Sequence, residues 1–331
     1  MTLMHKKAGV ATLLIRYNIF LMLGLLVIAS AMLSDVFLTP QNLWNLMRQL
    51  VPLALVSIGM VLVILTGGID LSVGAVAAIG AMVIAMLLPY LPDQAAVGLL
   101  IGMAAAVAAG SLLGAVTGAL VALFRMAPFI ASLAMMTVAR GIAFMMSNGQ
   151  PVRFPRDTGV ADLMRAFGSG TVPVLGMPWP VLMAVLLIIL FVTVMAQTKF
   201  GRLVIAAGSN EVAVRLAGIP VARYKFLVYA IAGGLSAFAG VVATSRTAVG
   251  TANTGFGLEL DAIAACVIGG ALLSGGKGTV LNTMIGVLIL GLIGNIMNLL
   301  SVPAYPQQII KGVIIVFAVL LQNVSGEAKR T

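Results

Sequence analysis

Two strongly apolar runs are joined by Gly67-Gly68-Ile69-Asp70-Leu71-Ser72-Val73-Gly74. The runs on both sides are too long for ordinary strands and predict helices. This pattern covers the chain, because 61% of its 331 residues are hydrophobic and only 8% are charged. A soluble domain carries about 25% charged residues, so the composition excludes a water-soluble enzyme, a nucleic-acid-binding domain and a disordered protein. The predicted fold is all-α, a polytopic bundle of membrane helices.

About ten membrane-spanning helices are predicted, at about 20 residues each. They cover approximately 18–34, 50–67, 71–88, 95–123, 127–146, 178–196, 226–244, 261–275, 280–300 and 309–323. The eighth is short and is interrupted by two glycine pairs. Such a break in a helix is tolerated in a membrane only where protein or a cavity shields the backbone.

The basic residues indicate the orientation of these spans. With the amino terminus inside, twelve Lys and Arg residues fall in inside segments, five in outside segments and two within spans. Basic residues collect in cytoplasmic loops, so both termini are predicted to be cytoplasmic. Residues 1–331 then form a single transmembrane domain, with a cytoplasmic leader at 1–17, an external loop at 147–177 and a cytoplasmic loop at 197–225.

Asp70 is the most informative residue of the opening stretch. A carboxylate at membrane depth costs a few kcal/mol and needs a partner or a role. Glycines allow the chain to leave a helix and bring its backbone close to a ligand. Two interpretations remain open: Asp70 and Ser72 cap the next helix at the inner membrane edge, or the stretch takes part directly in a path across the membrane.

A related segment lies in the second half, where Gly255 and Gly257 precede Glu259 and Asp261. In the ten-span count it lies five spans after the Asp70 stretch, an odd number that places the two at opposite membrane surfaces. Corresponding elements on opposite surfaces are typical of inverted repeats. The sequence therefore predicts inverted repeats, with both acidic segments near the functional path.

Two features within spans have structural interpretations. Small residues recur every fourth position on the fourth span, from Gly102 to Gly118, which favours close helix packing. We expect that packing to be within one chain rather than between two. Arg140 falls near the middle of the fifth span, and we expect it to pair with an acid or a helix end.

The cytoplasmic loop contains a stretch that is suited to a short helix, Glu211 to Leu216, ended by Gly218 and Pro220. Such a helix is either a docking element for a partner protein or a simple connection rich in positive charge.

Four ordered motifs resemble the permease subunits of ribose/xylose/galactose-type ATP-binding cassette (ABC) importers. The first is the stretch from Gly67 to Gly74. The others are Pro128-Phe129-Ile130 with Arg140-Gly141; Gly208-Ser209-Asn210 with Gly218-Ile219; and Glu259-Leu260-Asp261-Ala262-Ile263-Ala264 with the glycine pairs that follow. The resemblance covers about residues 40–322. One departure is Val214, where the family often has a second alanine beside the one at Ala213.

The resemblance implies a permease of the bacterial inner membrane that imports a sugar or a related small polar solute. Its implied partners are a cytoplasmic ATPase subunit, a soluble sugar-binding protein outside, a second permease copy and the lipid bilayer. The chain lacks a phosphate-binding GxxxxGK[ST] loop, so we expect it to bind no cofactor and the ATPase subunit to use the ATP. The candidate path residues are Gly67, Gly68, Asp70, Ser72, Gly74, Phe129, Glu259 and Asp261. The candidate ATPase-coupling residues are Gly208, Asn210, Glu211, Ala213, Leu216, Gly218 and Ile219.

Two alternatives come from other classes of protein. An ion-coupled secondary transporter of a small polar solute would use Asp70, Glu259 or Asp261 as its ion site. An intramembrane enzyme is disfavoured, because the chain has no HExxH motif and one histidine, His5. With one histidine and one cysteine, no metal site of the usual His/Cys type is expected, and no catalytic residue is assigned.

Overall fold

The computed structural model of the chain describes residues 18–327, except 93 and 157. The predicted leader at 1–17 and the last residues, 328–331, lie outside the described residues. Within that part the chain is an all-α bundle, as predicted, and its β-structure is limited to a pair of two-residue strands and an isolated bridge between Thr171 and Pro178.

Thirteen α-helices are present in the described residues. They are α1 (Asn18–Leu33), α2 (Pro40–Leu65), α3 (Val73–Leu87), α4 (Ala95–Ala122), α5 (Pro128–Met146), α6 (Gly159–Ser169), α7 (Trp179–Gln197), α8 (Lys199–Ser209), α9 (Glu211–Leu216), α10 (Val221–Thr247), α11 (Leu258–Ile268), α12 (Val280–Leu299) and α13 (Ala304–Glu327). A 3₁₀ helix, Leu88–Tyr90, extends α3, and the strands are β1 (Val152–Arg153) and β2 (Val249–Gly250).

Seven helices in the described part of the chain are long and apolar enough to cross a membrane: α2, α3 with its 3₁₀ extension, α4, α5, α7, α10 and α12. The predicted eighth span, 261–275, is wrong as a continuous helix. In its place α11 begins at Leu258 and ends before Gly269. Its 11 residues extend about 16 Å at 1.5 Å per residue, about half of a hydrocarbon core.

Helix α10 lies at the centre of the bundle and packs along α4, α3 and α2. The small-residue face of α4 allows this, because Gly110, Gly114 and Gly118 lie against the backbone or Cβ atoms of α10 near Gly233 and Tyr229. The expected packing within one chain is confirmed. Large side chains at these positions would push the two helices apart.

The segment predicted as an external loop, 147–177, contains β1 and helix α6. Val152 pairs antiparallel with Gly250, and Thr158 caps α6 by accepting a hydrogen bond from the Ala161 amide at 3.4 Å. Val160 and Met164 of α6 are buried. This segment is therefore folded onto one end of α10.

Candidate functional site

The Gly67–Gly74 turn begins where α2 ends at Leu65. The Gly67 amide donates to the carbonyl oxygen of Ile64 at 2.8 Å, and Gly67 has a φ of +78°. This conformation is strained for other L-residues. Glycine at this position therefore lets the chain leave α2 within two residues and enter α3 at Val73.

Asp70 is 1% exposed and organises the turn. Its Oδ1 accepts hydrogen bonds from the Ser72 amide at 2.9 Å and the Ser72 hydroxyl at 2.6 Å. Its Oδ2 is buried and has no hydrogen-bond partner in the described structure. The predicted side-chain cap of α3 does not form: the Ser72 side chain makes no cap bond to α3, and Asp70 accepts its hydrogen bonds from Ser72, before the helix begins.

The phenol ring of Tyr229 on α10 covers this turn. A Cβ atom at Gly68 would lie 2.5 Å from the Tyr229 hydroxyl oxygen, so glycine is needed there for close packing. Tyr229 is buried, and its hydroxyl has no hydrogen-bond partner among the described residues. Tyr229 lies eight residues after the start of α10, about 12 Å along its axis, so the turn lies well inside the bundle.

The second glycine-rich segment contacts the first. A Cβ atom on Gly74 would clash with the Glu259 carboxylate and with the carbonyl oxygen of Gly255. The expectation that the two segments lie at opposite membrane surfaces is therefore wrong. The segment after β2 descends along α3, and α11 begins beside Gly74 rather than a full span away.

Arg140 of α5 fixes the descending segment. Its Nη1 donates to the carbonyl oxygens of Ala252 at 2.5 Å and Thr254 at 3.0 Å. The carboxylate of Glu259 is close enough to attract Arg140 electrostatically, although Glu259 Oε2 has no hydrogen-bond partner in the described part. Arg140 thus has a structural role, with backbone carbonyls as its hydrogen-bond partners in place of the expected acid or helix end.

The other two path candidates are less buried. Asp261 accepts a hydrogen bond from Lys311 Nζ of α13 at 3.1 Å. Phe129, in the first turn of α5, is 54% exposed. Ser132, one turn after Phe129, donates to the carbonyl oxygen of Ile69 at 3.2 Å and so connects this end of α5 to the Asp70 turn.

Helix α9 confirms the predicted Glu211–Leu216 helix. Asn210 caps it, because its Oδ1 accepts from the Ala213 amide at 3.0 Å. Glu211 forms ion pairs with Arg215 at 2.5 Å and with Lys225 at 2.7 Å. The hydrogen bond from Lys225 is the main cause that lowers the pKa of Glu211 below its ordinary value. The bond to Lys225 attaches α9 to the second turn of α10.

Gly218 ends this helix, as predicted. Its φ is +78°, its amide donates to the carbonyl oxygen of Arg215 at 3.0 Å, and nothing lies within 4 Å of a Cβ built there. Leu216 is 84% exposed and Val212 is 68% exposed. The helix therefore presents apolar side chains to its surroundings.

Ile219 and Pro220 line a cavity of about 510 Å³ between α9 and the α4–α5 connection at Arg125.

Gly208 lies apart from this exposed surface. It is on α8, and a Cβ atom there would clash with the carbonyl oxygen of Leu65 and the amide of Gly276. The Gly276 amide donates to the same Leu65 oxygen at 3.0 Å. Gly208 therefore links α8 to the end of α2, two residues before Gly67.

Tyr229 and the contact between Gly74 and Glu259 were missed by the sequence reasoning. Both depend on packing between residues far apart in the chain, and no local pattern indicates them. Helix α6 was missed as well, although Thr158, the acidic Asp162 in the first turn and the apolar spacing of Val160 and Met164 are the ordinary signals of a capped amphipathic helix.

The fold and these segments define a polytopic membrane permease, and comparisons with known proteins agree. Residues 42–319 match the family described as "Branched-chain amino acid transport system / permease component". The chain belongs to this family.

Individual relatives cover almost the whole chain. The ribose import permease protein of Escherichia coli (strain K12) is 42% identical over 316 residues, 95% of each chain. That of Haemophilus influenzae is 39% identical over 96% of this chain and 95% of its own. The L-arabinose ABC transporter permease protein of Azospirillum brasilense is 35% identical over 98% and 92%, respectively. No solved structure matches.

Proposed function

We propose that this chain is the membrane-spanning permease subunit of an ABC importer and forms the translocation path for a small sugar. The family supports the transport role, and relatives named for ribose and L-arabinose support a pentose as the class of solute. The chain is a transport subunit, and ATP hydrolysis belongs to a separate subunit.

The path forms between two copies of the chain. Support comes from exposed side chains: Phe256 is 81% exposed, Leu260 56% and Phe129, at the start of α5, 54%. Phe256 and Leu260 are close in sequence to Glu259, whose carboxylate attracts Arg140, and such polar groups are rare at membrane depth. A second copy facing this side would enclose a channel that has apolar and aromatic walls and carries Glu259 at its edge.

A cytoplasmic ATPase subunit docks on α9. The exposed Val212 and Leu216 fit a hydrophobic groove, and the cavity beside Arg125 has room for a second contact. The single observation that carries the proposal is the connection from this surface to the interior. Helix α9 follows directly on α8, Gly208 of α8 lies against Leu65, and Gly67 begins the Asp70 turn. Closure of the ATPase pair would move α8 and α9 as a body and shift that turn.

The wider topology is part of the proposal. Ten membrane-crossing or membrane-embedded elements, arranged as inverted repeats, would place both termini in the cytoplasm of a bacterial inner membrane. The short helix α11 supports this arrangement, because it begins beside Gly74 at the start of α3 and extends across only about half of a hydrocarbon core. Discontinuous helices of this kind near the midplane are typical of repeat-built transporters. A soluble sugar-binding protein then delivers the solute on the side of α6. The chain itself binds neither ATP nor metal.

The test is uptake into proteoliposomes that contain this chain together with the ATPase subunit encoded beside it, with the cognate binding protein added outside. We expect pentose uptake that requires ATP and the binding protein and is unchanged when proton and sodium gradients are collapsed. Uptake by the chain alone, driven by an ion gradient, would contradict the proposal and favour a secondary transporter.

A further inference from the structure

A second polar site lies at the end of the bundle that carries α6. A cavity of about 260 Å³ lies between the first half of α2, the start of α7 and the carboxyl-terminal end of α10, beside Gly168 of α6. Its cationic side is formed by Arg48 and Arg246, and its apolar side includes Pro52, Pro180 and Val242. Lys225, in the second turn of α10, lies near the far end of the same helix and lines the cavity beside α9, so the two cavities are separate.

The guanidinium groups of the cavity have no acidic partner among its lining residues. Arg48 Nη2 donates to the carbonyl oxygen of Ser169 at 3.2 Å, while Arg48 Nε is buried and has no hydrogen-bond partner in the described structure. The Arg246 side chain is exposed and makes no hydrogen bond or ion pair within the described residues, and none of the residues lining the cavity is acidic. A buried donor without a partner is costly, and guanidinium groups pair well with phosphate. The arrangement therefore fits an anion.

The positions of the lining residues along their helices indicate which kind of molecule bears the anionic group. Pro52 lies inside α2, which begins at Pro40, and Val242 lies more than one turn before the end of α10. Pro180 follows Trp179, which is 38% exposed at the start of a membrane-spanning helix, a usual position for an interfacial aromatic residue. A hydrated soluble anion would leave the apolar wall uncovered. A phospholipid supplies an anionic phosphate and an adjoining apolar chain together.

We propose that Arg48 and Arg246 bind the headgroup phosphate of an anionic phospholipid, whose glycerol and upper acyl chain lie against Pro52, Pro180 and Val242. The fixed fork of guanidinium donors matches the oxygen atoms of a phosphate group. Because α10 also contacts the Asp70 turn through Tyr229, a bound lipid would stabilise the outer end of the central helix. The site does not depend on the solute that the protein carries.

The test is native mass spectrometry of the purified full chain with phosphatidylglycerol, cardiolipin or phosphatidylcholine. Arg246→Gln removes one guanidinium group. Because the Arg246 side chain makes no hydrogen bond or ion pair within the described residues, the fold should be preserved. Arg153→Gln, at an exposed arginine of β1 that does not line the cavity, is the matched control. We expect the wild-type chain and Arg153→Gln to retain the anionic lipids in preference to phosphatidylcholine, and Arg246→Gln to bind them about tenfold more weakly. Arg246→Lys should restore part of the loss.

Three results would overturn the proposal. Equal retention of anionic lipids by all variants would remove Arg246 from any lipid site. Displacement of the lipid by millimolar inorganic phosphate alone, with no preference for the intact lipid, would make this a site for a free anion. Unchanged lipid binding with weakened binding of the soluble sugar-binding protein would make the two arginines a protein-docking surface. Each result is read from binding rather than from uptake, so it is independent of the proposed transport function.

Discussion

Gly74 and Gly218 belong to motifs that look equally important in the sequence, yet the structure uses them in opposite ways. Gly74 is buried where α3, Gly255 and Glu259 meet, and a single added carbon would clash. Gly218 is exposed, has nothing near it and requires glycine only through its positive φ. The buried glycine is explained by contacts within the chain. The exposed one is explained by the turn that ends α9, so a large side chain there should disturb the proposed partner more than the fold.

The largest effect should come from filling the buried position. Gly74→Ala forces a methyl group against the Gly255 backbone, and overpacking of this kind costs about 1–3 kcal/mol. We expect a lower thermal unfolding temperature in detergent and loss of uptake. Gly294→Ala is the control, because Gly294 lies in helix α12 with nothing within 4 Å of its added Cβ. Equal unfolding temperatures for the two variants would show that the Gly74–Gly255 contact is not tight.

Asp70→Asn separates the charge of Asp70 from its role in the turn. Asparagine keeps an oxygen that can accept from the Ser72 amide and hydroxyl, so we expect normal insertion and folding but strongly reduced uptake. Asp70→Ala removes these hydrogen bonds as well and should destabilise the chain by about 1–3 kcal/mol. The measurements are surface expression, thermal unfolding and pentose uptake. Wild-type uptake by Asp70→Asn would reduce Asp70 to a replaceable turn residue.

Substitutions at the exposed Gly218 should affect folding of the chain less than they affect its complex with the ATPase subunit. Gly218→Trp should leave insertion intact and weaken co-purification with the ATPase subunit, or uncouple hydrolysis from uptake. Gly218→Asn is the matched control, because asparagine accepts a left-handed conformation more readily than most residues. If the tryptophan variant co-purifies and transports like the wild type, the contact must be sought at Arg125 or Lys277.

The smallest effect should come from Glu211→Gln. The ion pairs with Arg215 and Lys225 are partly exposed, and such pairs contribute under about 1 kcal/mol, so we expect about a twofold loss of ATPase binding. Because the pKa of Glu211 is lowered in the folded chain, its contribution is present at neutral pH and disappears only as the pH falls through that lowered value. Binding by the wild type should therefore be constant between about pH 5 and pH 7. A fall within that range would contradict this role of Glu211.

Local signals accounted for much of the bundle. The helix Glu211–Leu216 and its end at Gly218 were predicted correctly, since a cap, a glycine and a proline act within a few residues. Most span positions follow from apolar runs, although α2 begins ten residues earlier than predicted, where Thr39 caps it by accepting from the Asn42 amide.

The predictions that were wrong concern contacts between segments that are far apart in the sequence. The descent of the Gly255 segment to Gly74 results from the Arg140 hydrogen bonds and from packing along α3, which no spacing in the sequence encodes. The ten-span count therefore placed two segments at opposite membrane surfaces, although they are in contact in the structure. Arg48 and Arg246 are about two hundred residues apart in the sequence and meet only because α2 and α10 pack together.

The most direct measurement follows the Asp70 turn while the ATPase works on α9. Cys266, the single native cysteine, is buried, so Cys266→Ser with Leu71→Cys places one partly buried thiol beside Asp70. In the complex with the ATPase, we expect the labelling rate of that thiol to change when ATP is added. The same experiment with Leu216→Asp in addition should show no change, because the exposed contact is lost. An ATP-dependent change that persists in the Leu216→Asp complex, or no change in the complex without that substitution, would contradict the link from α9 to the Asp70 turn.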